Sequence, residues 1–531
     1  MLRLAKLSVL SLALAATPMV TTMLVPTQAE AQVFSALRHA IAEASSAEEQ
    51  MAAFYRERDF HPIWTTADDA DRRNALFAAL ARANDHGLPT SRYDADALLD
   101  AFANATNPYE MGRADVQASL LFLQYAQDIH SGFLEPSDIV GDIVHTLPRR
   151  DPLELFTEFV DANPYDYIGT LAPQHPEYTR LMRAKFHLEQ LIDEGGYGPT
   201  VQAGSLAPGN TGTSVVQLRN RLMAMGYLDR SATATYDARL QQAVVEFQID
   251  NGIEADGIAG GDTIRAVNRS ATEHLEEVIL AMERQRWLNF DRGERHVFVN
   301  LPDFHTRVID DGEVTFITRS VIGSRDADRR TPEFSDVMEH MVINPSWYVP
   351  RSIARGYIPS ILAGGANHLQ LMANGRPVNR ANVDWSRVSA GNFPFDLRQP
   401  PGPRNALGLV KFMFPNQWNI YLHDSPDQHL MTHEVRTYSA GCVRLDDPFD
   451  FAYHLLAAQE DDPVGFFHRI LDTNRETQVN LTEPVPVHLV YWTAWVDTEN
   501  RLNFRNDIYG RNAELRRAIR NLGVEIRGVN S

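Results

Sequence analysis

The sequence predicts a multidomain α+β protein: an α-helical scaffold domain, a small three-helix module, and a β-rich domain interrupted by a capping-loop insertion. Three observations predict it. Apolar residues recur at three- and four-residue spacing from about residue 34 to 195, as in Ala36, Leu37, Ala40, Ile41 and Ala44 and in the run Leu120–Ala126. A stretch rich in Gly, Pro, Ser and Thr, from Gly195-Gly196 through Gly212, then sets that half apart from a compact segment of short amphipathic runs. After a charged helical stretch, Glu276 to Arg286, the pattern turns to β-branched and aromatic runs bounded by Gly, Pro and Asn.

Composition agrees with this division and narrows function. A length of 531 residues suggests about three to four structural units. With 44% hydrophobic and 22% charged residues, the chain is neither wholly disordered nor a polytopic membrane protein. The 49 Lys and Arg against 69 Asp and Glu leave a net charge of −20, which argues against non-specific binding to nucleic acid phosphates or anionic lipid. One cysteine excludes an intrachain disulfide and any zinc site needing two thiolates from this chain. No cofactor and no metal are expected.

In chain order, Arg3 and Lys6 precede an apolar run, Leu7 to Ala16, and Ala29-Glu30-Ala31 offers small residues for cleavage. Residues 1–31 therefore predict an export signal, and a body that lies outside the cytoplasm. An uncleaved anchor over Leu7 to Val25 is the alternative, weakened by Thr17, Pro18, Thr21 and Thr22. The signal holds no cysteine to acylate. Residues 32–200 predict the scaffold, with turn-like breaks at His86-Gly87-Leu88-Pro89, Gly132 to Pro136 and Asn163-Pro164 and no titratable cluster suggesting chemistry. Residues 207–268 form the module, with Val215, Val216, Leu218 and Leu222 on one helix and Leu240, Ala243, Val244 and Phe247 on the next. The β-rich domain spans 295–475, with strand-like runs at His296–Asn300, Thr315–Ile317, Met338–Ile343 and Trp418–Leu422. An insertion at about 350–408 is long enough to act as a lid. The tail, 476–531, returns to strand-like composition at Val485–Trp495 and is expected to pack on the catalytic or scaffold domain.

Export gives the single cysteine meaning, because an unpaired thiol in an oxidising compartment is a liability unless buried or used. Cys442 lies in the small-residue turn Tyr438-Ser439-Ala440-Gly441-Cys442-Val443-Arg444, and both a nucleophile and a buried structural cysteine fit that context. His423, at the end of Ile420-Tyr421-Leu422, is far enough upstream to loop back as a base. Amides around Gly441 and Cys442 could hold an oxyanion, and Arg444 a carboxylate. His423, His429 and His433 with Asp424 are a candidate metal cluster, but His433-Glu434-Val435-Arg436-Thr437 lacks the second histidine of a zinc-protease helix. No Gly-x-Ser-x-Gly elbow supports a serine hydrolase.

The module, from "GTSVVQLRNRLMAMGYL" to "DARLQQAVVEFQIDNGIEADGIAGGDTIRAVN", closely resembles the peptidoglycan-binding domain 1 family, which implies wall binding or a spacer role. The stretch "IYLHDSPDQHLMTHEVRTYSAGCVRL" resembles the active-site signature of L,D-transpeptidases with the YkuD catalytic domain. "NPSWYVPRSIA", "LRQPPGPRNALGLVKFMFPN" and "PVPVHLVYWTAWVD" resemble its large YcbB-type subfamily, which has the same domain order. Many members carry Ser-His-Gly-Cys, whereas Ala440 takes the histidine's place here.

The resemblance implies a cysteine acyltransferase. Cys442 is the nucleophile, His423 the base, and Gly441, Arg444, Tyr421 and Ser439 the oxyanion and substrate-binding set. A donor tetrapeptide stem would lose its terminal D-alanine and pass to the amine of a second stem, giving 3-3 cross-links. Peptidoglycan stems and glycan are the implied partners, with other wall-synthesis enzymes as further candidates, and carbapenems are the β-lactams best accommodated. An L,D-carboxypeptidase or cross-link hydrolase using the same residues, and a non-catalytic wall-binding protein, remain open from sequence.

Overall fold

The computed structural model describes residues 28–522. The expected signal therefore lies almost wholly outside the described residues, which begin in the helix Gln28–Ser45. No described helix is long and apolar enough to cross a membrane.

The chain divides into two compact units: Met1–Ala70 with Asp96–Leu120, and Asp71–Ala95 with Leu121–Ser531. The helical region expected as one scaffold thus contributes to both. In the first unit, Gly112 lets one helix approach the Gln28–Ser45 helix closely, since a Cβ there would lie 2.7 Å from that of Ala40. Buried Asp115 accepts hydrogen bonds from the amides of Ile63, Trp64 and Thr65 and from the Tyr55 hydroxyl, closing the turn between helices.

In the second unit, three successive helices start with proline at the first position: Pro152–Asp161, Pro164–Leu171 and Pro176–Asp193. Proline costs nothing there because that amide has no helical partner. Asp151 and Asn163 cap the first two through their side chains. The module follows as Thr213–Ala224, Ala238–Asp250 and Gly261–Val267 around Leu218, Leu222, Leu240, Val244 and Phe247.

The charged helix expected at Glu276–Arg286 is Ala271–Arg286, opened by a Ser270/Glu273 capping box, and from Glu277 onward it is buried on every side. Its charges are paired: Arg286 with Glu283 at 2.6 Å, Arg284 with Glu333 at 2.7 Å, and Glu277 with Arg516 at 2.6 Å.

Four strands open the β-rich domain: β1 (Arg295–Asn300), β2 (His305–Asp310), β3 (Glu313–Gly323) and β4 (Phe334–Ile343). The insertion carries β5 (Trp347–Val349), a helix Arg351–Leu362, β6 (Gln370–Ala373), β7 (Arg376–Val378) and β8 (Asp396–Gln399). The chain returns through β9 (Val410–Met413), β10 (Leu422–His423), β11 (Thr437–Ser439), β12 (Val443–Leu445) and β13 (Thr477–Val490), and ends its strands in a hairpin, β14 (Ala494–Val496) and β15 (Leu502–Phe504).

The main sheet runs β11-β3-β12-β10-β9-β4-β13-β1-β2, and a further β2–β3 pairing brings its ends together. Its core includes Val299, Phe334, Met341, Phe412, Leu422, Val443, Phe451 and Leu489.

Three expectations need correction. β13 lies inside this sheet, antiparallel to β4 and parallel to β1, so the segment after residue 475 completes the catalytic domain rather than only packing on it. The insertion has its own four-stranded sheet, β5-β8-β6-β7, and its own core of Trp347, Ile361, Leu369, Leu371 and Leu397. Finally, the strand expected over Trp418–Leu422 begins only at Leu422. Asn416 holds the preceding turn by accepting from the amides of Trp418 and Ile420 and donating to the Ile420 carbonyl, and Asn419 has φ +53°.

Candidate active site

β10 holds the site together. It pairs parallel with β12, setting Leu422 opposite Val443 and His423 opposite Arg444, and antiparallel with β9, setting His423 opposite Lys411. The Val443 amide donates to the Tyr421 carbonyl at 3.1 Å, so Tyr421 faces Cys442 one step further along. Side chains alternate across a strand and paired residues share a face. Lys411, Tyr421, His423, Cys442 and Arg444 therefore project from one face of the sheet.

The nucleophile turn between β11 and β12 is anchored at both ends to β3. Ser439 stands opposite Gly323, and Arg444 opposite Val321. Ser439 Oγ donates to the Cys442 carbonyl at 2.5 Å and accepts from the Gly441 amide at 3.0 Å. Thr331 Oγ1 donates to the Gly441 carbonyl at 2.6 Å. Gly441 has φ +125°, a conformation that disfavours any side chain. Its amide is spent on Ser439, which leaves the Tyr421 hydroxyl beside Cys442 as a donor on this face. Ser439 shapes the turn.

His423 is 4% exposed and its Nδ1 contacts the Asp424 carbonyl at 2.5 Å, which fixes Nδ1 as the protonated nitrogen and leaves Nε2 as a potential base. Asp424 is fixed in turn by the Leu409 amide at 2.8 Å and the Ser425 amide at 2.6 Å. Burial, helped by the nearby Arg444 and Lys411 charges, pushes His423 down to about 3, so the imidazole is neutral.

Cys442 is partly exposed, and its Sγ contacts the Asn419 carbonyl at 3.5 Å. Its dense surroundings push the thiol up to about 11, against the opposing pull of Tyr421, Arg444 and Lys411. At neutral pH the site thus holds a thiol and an imidazole, both uncharged. Burial and the adjacent Cys442 raise the Tyr421 hydroxyl well above its usual range, so it too keeps its proton and can donate it.

Arg444 has a partner already, Asp427 at 3.1 Å, and can offer only its remaining donors to a substrate carboxylate. His429 and His433 are exposed, with His433 bonded to the Tyr438 hydroxyl at 2.8 Å. Among the described residues no group of three or more His, Cys, Asp or Glu could hold a metal.

Sequence reasoning missed Lys411 and Thr331. Lys411 lies 5.6 Å over the Tyr421 ring, and burial lowers its ammonium. A lone lysine inside the apolar run Val410–Met413 was the available signal.

The fold brings together a cysteine on a glycine-bearing turn, a neutral histidine on the adjoining strand and a tyrosine hydroxyl on the same face. Family models specify this arrangement further. Residues 294–477 match the L,D-transpeptidase catalytic domain, residues 211–267 the "Putative peptidoglycan binding domain" and residues 49–184 the Scaffold domain. The chain therefore carries a YkuD-type L,D-transpeptidase catalytic domain with a peptidoglycan-binding module and a helical scaffold region.

A Haemophilus influenzae protein named "Putative L,D-transpeptidase" is 31% identical over 242 residues, 44% of this chain and 48% of that protein, so the match spans about half of the relative's length. Solved L,D-transpeptidase chains from Xylanimonas cellulosilytica and Stackebrandtia nassauensis each align at 15% identity over 55% of this chain. They are covered to 98% and 97%, with TM-scores of 0.16 and 0.20, likenesses too weak to bear on the site.

Proposed function

We propose that this protein is a cell-wall L,D-transpeptidase working through a cysteine thioester. The observation that carries the reading is the shared face of Tyr421, His423 and Cys442, with thiol and imidazole both uncharged at neutral pH.

Because the thiol rests protonated, its proton must leave as sulfur attacks. His423 Nε2 takes it while Cys442 Sγ bonds to the carbonyl that joins the third stem residue to the terminal D-alanine. The oxyanion takes hydrogen bonds from the Cys442 amide and the Tyr421 hydroxyl. The carbon–nitrogen bond then breaks, His423 returns its proton to the leaving amine, and D-alanine departs from a thioester. The amine of a second stem attacks the thioester, gives its proton to His423, and displaces the thiol as the new amide forms; the acceptor amine of a 3-3 cross-link belongs to the third residue of that stem. The folded insertion, against whose core Tyr421 packs, would limit water at the thioester and favour transfer over hydrolysis. The export-signal pattern of residues 1–31 and a wall substrate support a periplasmic location for this chemistry.

Intact-mass spectrometry with a carbapenem tests the nucleophile, since a strained lactam carbonyl presents the same electrophile as the stem amide. Wild type should gain one meropenem mass and hold it, ampicillin should react much more slowly, and Cys442→Ala should gain nothing. Equal adducts on wild type and Cys442→Ala would overturn the assignment. Separately, His423→Ala should slow acylation by at least the roughly 10²-fold expected for a lost general base. His429→Ala and His433→Ala should leave it unchanged, and equal losses at all three would refute the single-base mechanism.

A further inference from the structure

A cavity of about 610 Å³ opens where four elements of the second unit meet: the helix Pro176–Asp193, the module, the first turn of the helix Ala271–Arg286, and the β14–β15 hairpin. None of the catalytic-face residues lines it.

Buried in its walls, His274 Nε2, on a residue 3% exposed, has no hydrogen-bond partner among the described residues, whereas Asp250 faces the Tyr227 hydroxyl and the Arg501 side chain. His274 is locked in place. Its Nδ1 bonds the Tyr197 hydroxyl at 3.0 Å and its ring stacks on Phe504 at 4.1 Å, so Nε2 is left over by design of the packing rather than by looseness. Burial, with Arg269 and Arg221 nearby, keeps this histidine neutral. Buried polar atoms without partners are rare in native proteins because each forfeits its hydration. His274 Nε2 lines the cavity, so a ligand with a hydroxyl or amide group would satisfy it and an apolar one would not.

Two further features narrow the ligand. Tyr227 and Phe247 meet edge to face at 5.4 Å and give the cavity an aromatic wall beside Asp250. On the opposite side, Arg183 and His187 come from one face of the Pro176–Asp193 helix and are exposed. In a chain of net charge −20, a basic helix face selects an anion. Glu246 and Asp250 in the same cavity work against a multiply charged one such as a phosphate.

We propose that this cavity binds an acidic amino sugar of a glycan strand. Its ring lies against Tyr227 and Phe247, its hydroxyl and acetamido groups reach His274 and Asp250, and its carboxylate meets Arg183 and His187. The proposal rests on the wall-enzyme reading above and goes beyond it, because the site is composite. The module supplies the aromatic wall and Asp250, while His274, Arg183 and His187 lie outside the module.

Equilibrium dialysis on the full-length protein tests it with two probes: peptide-free wall glycan, whose alternate sugars carry a lactyl carboxylate, and a chitin oligomer of equal length, which lacks it. Wild type should bind the first at least tenfold more tightly. Arg183→Ala/His187→Ala, altered at two exposed positions, should lose that preference by weakening the first probe alone, and Tyr227→Ala should weaken both. Equal binding of the two probes, absence of binding by wild type, or wild-type selectivity in the double variant would overturn the proposal. Cys442 acylation by a soluble stem peptide, followed in the same samples, separates the two claims. Failure of wild type to acylate sinks the catalytic reading, whereas intact acylation without glycan selectivity sinks only the cavity.

Discussion

At the scale of single residues, the charge state of the resting site sets its pH behaviour. Cys442 is raised by burial to about 11 and His423 lowered to about 3. The thiolate fraction should therefore grow about tenfold per pH unit up to the thiol's pKa, and His423 should stay neutral from mildly acidic pH upward. Alkylation of the sole thiol by iodoacetamide should rise log-linearly between about pH 7 and 10, with no inflection near the ordinary histidine value. A plateau at neutral pH would instead indicate a thiolate–imidazolium pair. Thr331 is a positioning residue on the same turn: it donates to the Gly441 carbonyl and accepts from the Gly323 amide at 2.9 Å. Thr331→Val keeps the shape and removes both bonds. Carbapenem acylation should fall about tenfold, and stability by about 1–3 kcal/mol for a buried acceptor left unpaired; unchanged acylation would deny it the positioning role. Cys442 and His423 were legible in the sequence because a lone cysteine on a small-residue turn and a histidine at a strand end are local patterns. Lys411 and Thr331 were not, because they matter only through the pairing of β9 with β10 and the reach of the segment after β3 to the turn. Gly441 was half legible: its freedom showed, but the loss of its amide to Ser439 did not.

At the scale of elements, two glycines make opposite predictions. Gly408, just before β9, has φ +63°, and a Cβ there would collide with the Asp424 carboxylate. Since Asp424 fixes the orientation of His423, Gly408→Ala should displace β10 and lower acylation by an order of magnitude or more, which stopped-flow acylation would register. Gly356, inside the helix Arg351–Leu362, has open space around its Cβ position and an ordinary helical backbone. Gly356→Ala should raise thermal stability, by up to about 1 kcal/mol from helix propensity alone. A drop in melting temperature would mean that the methyl meets something the open space does not reveal. Element boundaries show the same split between local and long-range information. Proline at the first helical position, Asp and Asn caps and the Ser270/Glu273 box are local start signals acting within four residues, yet the sequence reading starts the charged helix only at Glu276, past the Ser270 box. The place of β13 between β4 and β1 could not be read from its composition, since register is decided by strands far away in the chain. Short β5 to β8, split by turns, carry too few residues for a period-two pattern.

At the scale of the whole molecule, the C-terminal helix Arg511–Asn521 reaches the nucleophile turn through a buried ionic network. Arg511 is fully buried and binds Asp142 at 2.7 Å, Glu333 at 3.0 Å and the Thr331 carbonyl at 2.7 Å. Glu333 also pairs with Arg284 at 2.7 Å, and Arg284 bonds Asn512, so helix Ala271–Arg286, the start of β4 and the C-terminal helix share one set of charges. Such a set repays the loss of hydration only when complete, and breaking it by removing one partner typically costs about 3–5 kcal/mol. Arg511→Ala leaves Asp142, the Thr331 carbonyl and one oxygen of Glu333 without their cation. Its unfolding free energy, from urea titration followed by tryptophan fluorescence, should fall by an amount in that range and lower the midpoint, and acylation should weaken with it because Thr331 is loosened from behind. Arg511→Lys restores the charge but cannot serve three acceptors with a planar fork, so it should recover less than half of the loss. If Arg511→Ala leaves the midpoint unchanged, Arg284 alone satisfies Glu333, and the C-terminal helix has no part in holding the turn that carries Cys442.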